Sequence, residues 1–183
     1  MQGSNSFTLA HNGIAFVLQT PCSICPGFDP ATAPQPSAWC KFPAIWDTGA
    51  TGCVITQRVI DECGLKPIGM TRIHGVHGVS DSETYLVNLL LLNNVGLPNI
   101  TVTKGDLPSG ANVLIGMNVI TTGDFCITNY EGKTVFSFRI PSQRRVDYVA
   151  EHNAQAVRPP LTHRGSKGAR KRGGKAHVKK KKH

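Results

Sequence analysis

Glycine and proline interrupt this chain so often, nineteen and twelve times in 183 residues, that short strands joined by turns are favoured over long helices. Abundant Val, Ile, Leu and Thr push the same way, because β-branched side chains fit a pleated surface. The length suits one ordinary domain. The longest apolar run, Leu86–Leu92, is broken by Asn88 and is too short to cross a bilayer. The polar opening MQGSNS is followed by no apolar block of secretory length. A soluble, cytoplasmic protein is expected.

The net charge of +9 is localised. Residues 1–157 carry nine Lys/Arg against eleven Asp/Glu, a balance of −2, and residues 158–183 carry eleven Lys/Arg and no acid, a balance of +11. A near-neutral body therefore precedes a cationic tail. Six cysteines (22, 25, 40, 53, 63 and 126) are even in number, but a chain of this size with no export signal does not call for a disulfide framework. Cys22, Cys25 and Cys40 are three thiols without an obvious fourth ligand, and structural zinc requires four. They are read as ordinary reduced cysteines, and no cofactor is expected.

Along the chain, Ser6–Ala10 and Ile14–Gln19 flank Asn12-Gly13 and predict a tight hairpin. Thr20–Ala38, rich in Pro, Gly and Ser, reads as a surface loop. Phe42–Trp46 reads as a strand running into Asp47. Val54–Cys63 suits a short helix with Thr56 as N-cap and Gly64 as stop. Ile68–Val79 and Glu83–Asn93 predict a long hairpin with Ser80, Asp81 and Ser82 at its tip. Ile100–Thr103 and Val113–Ile115 are further strands, Asn118–Thr122 a single helical turn, and Asp124–Asn129 with Lys133–Ile140 a closing hairpin. Gln143–Val157 suits a short amphipathic helix that Pro159 and Pro160 end.

The sharpest chemical signal is Ile45 to Thr51, reading IWDTGAT: an apolar strand delivers the Asp47 carboxylate into a turn of Thr48, Gly49 and Ala50. About sixty-five residues after Asp47 stands Ala111–Asn118, reading ANVLIGMN, and between them lies Ile73–Gly78, reading IHGVHG. In these three motifs, in order and spacing, residues 6 to 141 resemble the retroviral-type (retropepsin-like) aspartic peptidases. The hairpin after the second motif looks more like the cellular and bacterial branch of that family.

The resemblance implies an all-β fold, a small closed β-barrel with one or two short helices, working as a two-fold homodimer. It implies catalytic roles for Asp47, Thr48 and Gly49, with Thr48 bonding across to the partner subunit. Substrate would be held by Ala50 and by a flap of Ile73, His74, Gly75, Val76, His77 and Gly78. Leu114, Ile115 and Gly116 would pack beneath the catalytic loop, and Asn118 matches a position the family fills with Asp or Asn. The same need follows from the chemistry, because peptide hydrolysis of this kind uses one carboxylate as base on water and another as acid to the carbonyl. The chain has one such frame, so symmetry must supply the second.

Trp46 is bulkier than the Leu, Ile or Val usual before this aspartate; it either narrows the interior or faces the other way on its strand. His74 and His77 replace the family's more apolar flap residues, and read either as solvent-facing histidines or as a pH-sensitive flap. The expected organisation is a peptidase domain over 1–141, a linker or short helix over 142–160 and a disordered Lys/Arg-rich tail over 161–183. The tail is suited to non-specific nucleic acid or another polyanion, or else serves as a solvated extension. Three functions compete: an aspartic endopeptidase acting on extended polypeptide, a catalytically silent dimer binding peptide, and a dimeric platform carried to nucleic acid by the tail.

Overall fold

The computed structural model describes residues 5–28, 38–75, 78–108 and 110–156. Most of them lie in ten strands: β1 (Ser6–Ala10), β2 (Gln19–Pro26), β3 (Cys40–Trp46), β4 (Cys53–Ile55), β5 (Gly69–Gly75), β6 (Gly78–Leu90), β7 (Gly96–Lys104), β8 (Val113–Ile115), β9 (Asp124–Thr128) and β10 (Val135–Arg139). Three short helices accompany them, α1 (Gln57–Cys63), α2 (Met117–Ile120) and α3 (Tyr148–Ala156).

The larger sheet runs β2-β3-β8-β4-β7-β6-β5, and β2 also pairs with β6. That pairing closes six strands into a barrel and leaves β5 as the outer arm of a hairpin. Closure removes the open edges that a sheet of this size would otherwise present. A second sheet, β1-β10-β9, is antiparallel throughout. The all-β, barrel-forming fold expected from the sequence is therefore present.

One topological feature positions everything that follows. Strand β8 lies between β3 and β4, parallel to the first and antiparallel to the second. Since β3 enters the Asp47 loop and β4 leaves it, the residues that follow β8 are delivered directly beneath that loop.

The core is continuous from barrel to second sheet. Ile24, Ile55, Val59, Val87, Leu89, Val102, Val113 and Ile115 are fully buried within the barrel. Phe7, Trp46, Phe125, Phe136 and Phe138 form an aromatic cluster in which Trp46 stands 5.0 Å from Phe136 and 5.2 Å from Phe138. Large rings meeting at tilted and edge-on angles bury much area with favourable quadrupole contacts. Helix α1 starts after Thr56 and ends at Gly64 in the left-handed conformation (φ 60°), as a terminal glycine permits.

Four local expectations are corrected. The Asn12-Gly13 hairpin does not form: β1 pairs with β10, Phe7 opposite Phe138, and neither Asn12 nor Gly13 takes the positive φ that a type I′ turn requires. Burial of Phe7 among the aromatic residues outweighs the local turn signal. The expected loop Thr20–Ala38 is strand through Pro26, with Thr20, Cys22, Ile24 and Cys25 buried; its prolines misled, and Pro21 faces Pro43 at a single rung. Val54 and Ile55 belong to β4, so α1 is shorter at its start than expected. In the long hairpin, Ser80, Asp81 and Ser82 are paired residues of β6, opposite Ile73, Arg72 and Thr71. The last rung of the hairpin pairs Gly75 with Gly78, the latter at φ 117°, which favours glycine.

Two compact units are distinguished, 1–144 and 145–183. In the second, Asp147 starts α3: its carboxylate accepts the Ala150 N–H at 3.0 Å and its carbonyl the Glu151 N–H at 3.0 Å. Pro159, Pro160 and the basic tail lie outside the described residues. Among the described residues no helix is long and apolar enough to cross a membrane.

Candidate active site

Strand β3 alternates strictly, with Phe42, Ala44 and Trp46 buried and Asp47 exposed. The alternation settles where Trp46 goes: inward, into the aromatic cluster. Its Nε1–H donates to the Thr20 hydroxyl at 2.9 Å, so the one polar atom of the ring is satisfied in an apolar setting. With that anchor beneath it, Asp47 emerges at the end of the strand pointing away from the core.

The loop then folds back on its own carboxylate. The Asp47 N–H donates to the Ile115 carbonyl at 3.0 Å, which extends the β3–β8 ladder by one bond. The Gly49 N–H donates to Asp47 Oδ1 at 2.8 Å, and the Ala50 N–H reaches the Asp47 carbonyl at 3.4 Å. Asp side chains commonly close turns this way. One carboxylate oxygen is thereby oriented by the backbone. Thr48 and Gly49 are exposed, and Ala50 is half-buried.

Support comes from the segment after β8. The Met117 N–H donates to the Ala50 carbonyl at 2.8 Å and the Asn118 N–H to the Thr51 carbonyl at 3.1 Å. Gly116 is pressed against the loop: a Cβ there would lie 2.4 Å from the Gly52 carbonyl oxygen and 2.9 Å from that of Ala50. Only glycine allows this approach. Asn118 donates from Nδ2 to the Thr101 carbonyl at 3.1 Å and accepts at Oδ1 from the Cys53 thiol at 3.0 Å. Cys53 Sγ in turn accepts the Gly116 N–H at 3.3 Å. Burial pushes the Cys53 thiol up to about 11, so it keeps its proton at neutral pH and serves as a donor.

A cavity of about 340 Å³ adjoins Asp47 and Thr48, walled by Ala15–Leu18, Ile45, Trp46, Phe125 and Ile127. Phe16 is 95% exposed and Val17 62% exposed on its rim. The carboxylate thus stands beside an open, largely apolar recess.

The residues expected to form the site are partly gathered. Asp47, Thr48, Gly49 and Ala50 sit with Leu114, Ile115, Gly116 and Asn118 in one bonded unit. Ile73, His74 and Gly75 end β5 and Gly78 begins β6, with Gly75 opposite Gly78 at the last rung of the hairpin. Val76 and His77 lie outside the described residues. Cys22, Cys25 and Cys40 do not assemble as ligands: among the described residues no group of three or more His, Cys, Asp or Glu side chains is placed to hold a metal ion. Two residues that matter here escaped sequence reasoning, Thr20 and Cys53. The first lay in a segment read as loop, and the second was counted only among the thiols.

Residues 40–119, just under half of the chain, match the family model described as aspartyl protease. No curated protein matches. Among solved structures, a retropepsin-like aspartic protease from Rickettsia conorii is similar over 76% of this chain and 98% of its own, at 11% identity and a TM-score of 0.47. The retroviral protease-like domain of Ddi1 from Leishmania major is similar over 73% of this chain and all of its own, at 15% identity and a TM-score of 0.41. The protease of simian foamy virus (mac) is similar over 55% and 89%, at 17% identity and a TM-score of 0.37. The matched stretch holds the Asp47 loop, strands β5 and β6 and the Gly116 support together, and over it the chain is similar to the aspartyl proteases.

Proposed function

We propose that this protein is an aspartic endopeptidase that hydrolyses peptide bonds in extended polypeptide, using a water held between the Asp47 carboxylates of a homodimer. The observation that carries this reading is the exposed Asp47 carboxylate, oriented by the Gly49 N–H and braced from below by Gly116–Asn118. A frame so tightly bonded is what a reacting carboxylate requires.

The chemistry needs a second acid in contact with the first. No other Asp or Glu of the sequence sits in a comparable Asp-Thr-Gly frame, and a two-fold axis beside the loop supplies Asp47 of a second copy. Two carboxylates about 3 Å apart cannot both carry charge, the known behaviour of aspartic proteases, so the pair shares one proton and titrates as a unit. The charged member takes a proton from water, which attacks the peptide carbon. The protonated member gives its proton to the carbonyl oxygen. Collapse of the tetrahedral intermediate returns that proton and delivers the other to the departing nitrogen. Thr48 is assigned to bonding between the two loops, Ala50 to leaving room for peptide backbone, and Ile73–Gly78 to the flap that covers it. The apolar recess beside Asp47 suits an apolar substrate side chain.

The basic residues 158–183 are assigned a separate role, salt-sensitive contact with polyanions such as nucleic acid. A dilution series tests the dimer. Specific activity per subunit is expected to fall on dilution and to fall further when inactive Asp47→Asn subunits are mixed in. Activity that is constant per subunit, and indifferent to the inactive partner, would contradict a shared site.

A further inference from the structure

We propose that Cys40 and Cys63 form an oxidisable dithiol: exchange with a small-molecule disulfide such as oxidised glutathione joins their sulfurs and closes a covalent ring around the Asp47 loop. This inference does not depend on the peptidase reading.

The two cysteines come from separate elements, the first residue of β3 and the last of α1. Their bonds cross. Cys40 is paired with Ile24 in the β2–β3 ladder, yet its thiol donates away from that ladder, to the carbonyl of Glu62, at 3.5 Å. Cys63, next in sequence to Glu62, donates to the carbonyl of Ile24 at 3.7 Å. Each sulfur therefore reaches the backbone beside its counterpart, and Cys40 is near enough to Cys63 to raise the pKa of its thiol. Both are half-exposed, whereas Cys22, Cys25 and Cys53 are buried. Cys126 lies in β9, in the other sheet. Cys25, whose side chain is fully buried, is the single rival close by.

Exchange starts at the Cys40 sulfur, because burial and the adjacent thiols push Cys63 up to about 12 and keep its proton on. The Cys40 thiolate attacks one sulfur of the glutathione disulfide and one glutathione thiolate leaves. Cys63 then loses its proton and attacks the Cys40 sulfur, expelling the second glutathione. Two protein thiols are oxidised and one glutathione disulfide is reduced to two thiols. The product ties the strand that enters the Asp47 loop to the helix that follows it.

The test uses the full chain, incubated with excess oxidised or reduced glutathione, quenched in acid, alkylated and mapped by mass spectrometry after proteolysis. The expected result is a linked pair of peptides containing Cys40 and Cys63. Alkylatable thiols fall from six to four, six minus the two joined. The link is reversed by dithiothreitol, formed equally in Cys25→Ser, and absent from Cys40→Ser and Cys63→Ser. Stable glutathione adducts on Cys40 with Cys63 still alkylated, a bridge through Cys25, or six alkylated thiols after oxidation would each overturn the proposal.

Discussion

The Trp46 indole N–H donates to the Thr20 hydroxyl at 2.9 Å, inside the core and one residue before the Asp47 carboxylate. It joins β2 to β3 by side chains at the point where the backbone bond from the Trp46 N–H to the Leu18 carbonyl also falls. Replacing Thr20 by Val keeps the shape and removes the acceptor. The buried indole N–H is then left unpaired, which costs about 1–3 kcal/mol. Urea unfolding of Thr20→Val is expected to show that loss with an unchanged dependence on denaturant.

Gly116 makes a stronger prediction, because what it faces is backbone. A methyl group at this position meets the Gly52 carbonyl at 2.4 Å, and neither segment can yield without breaking the bonds from Met117 and Asn118 to the loop. Gly116→Ala is expected to lose at least about 2 kcal/mol of stability. Thermal melts of the variant measure this directly.

Much of this was legible in the sequence, and the reasons for success and failure are physical. The Asp47 loop was legible because a short run of residue types builds its turn, and Ala111–Asn118 because glycine after three apolar residues is needed under that loop. The β9–β10 hairpin was legible because its partners are neighbours in the chain. Strand β2 was missed because its prolines and cysteines carry no strand propensity, while its burial comes from closing the barrel against β6, some sixty residues away. The pairing of Phe7 with Phe138 was missed for the same reason: a local Asn-Gly signal competes with an aromatic cluster assembled from both ends of the body. The Cys53–Asn118 link was invisible because a thiol acting as a hydrogen-bond donor leaves no pattern in sequence.

Acid stability should depend on Asp124. The Ser142 hydroxyl, the Gln143 N–H and the Arg139 guanidinium all donate to its carboxylate, and together they hold it well below the usual carboxylate range. The folded state therefore resists a proton that the unfolded chain accepts near the ordinary value of about 4. The contribution is fully present above that pH and is lost as pH falls toward the folded value. Melting temperatures of the parent and Asp124→Asn are expected to differ most near neutral pH and to converge as the pH drops below about 4. A constant gap across that range would show that the carboxylate's charge is not what matters.

The central claim is that Asp47 is the reacting carboxylate. Cleavage of a peptide library from acidic to neutral pH, comparing the parent with Asp47→Asn at equal folded concentration, tests it most directly. A loss of at least about a hundredfold in the variant, at every pH where the parent cleaves, is the predicted result. Cleavage by Asp47→Asn at the parental rate would contradict the account.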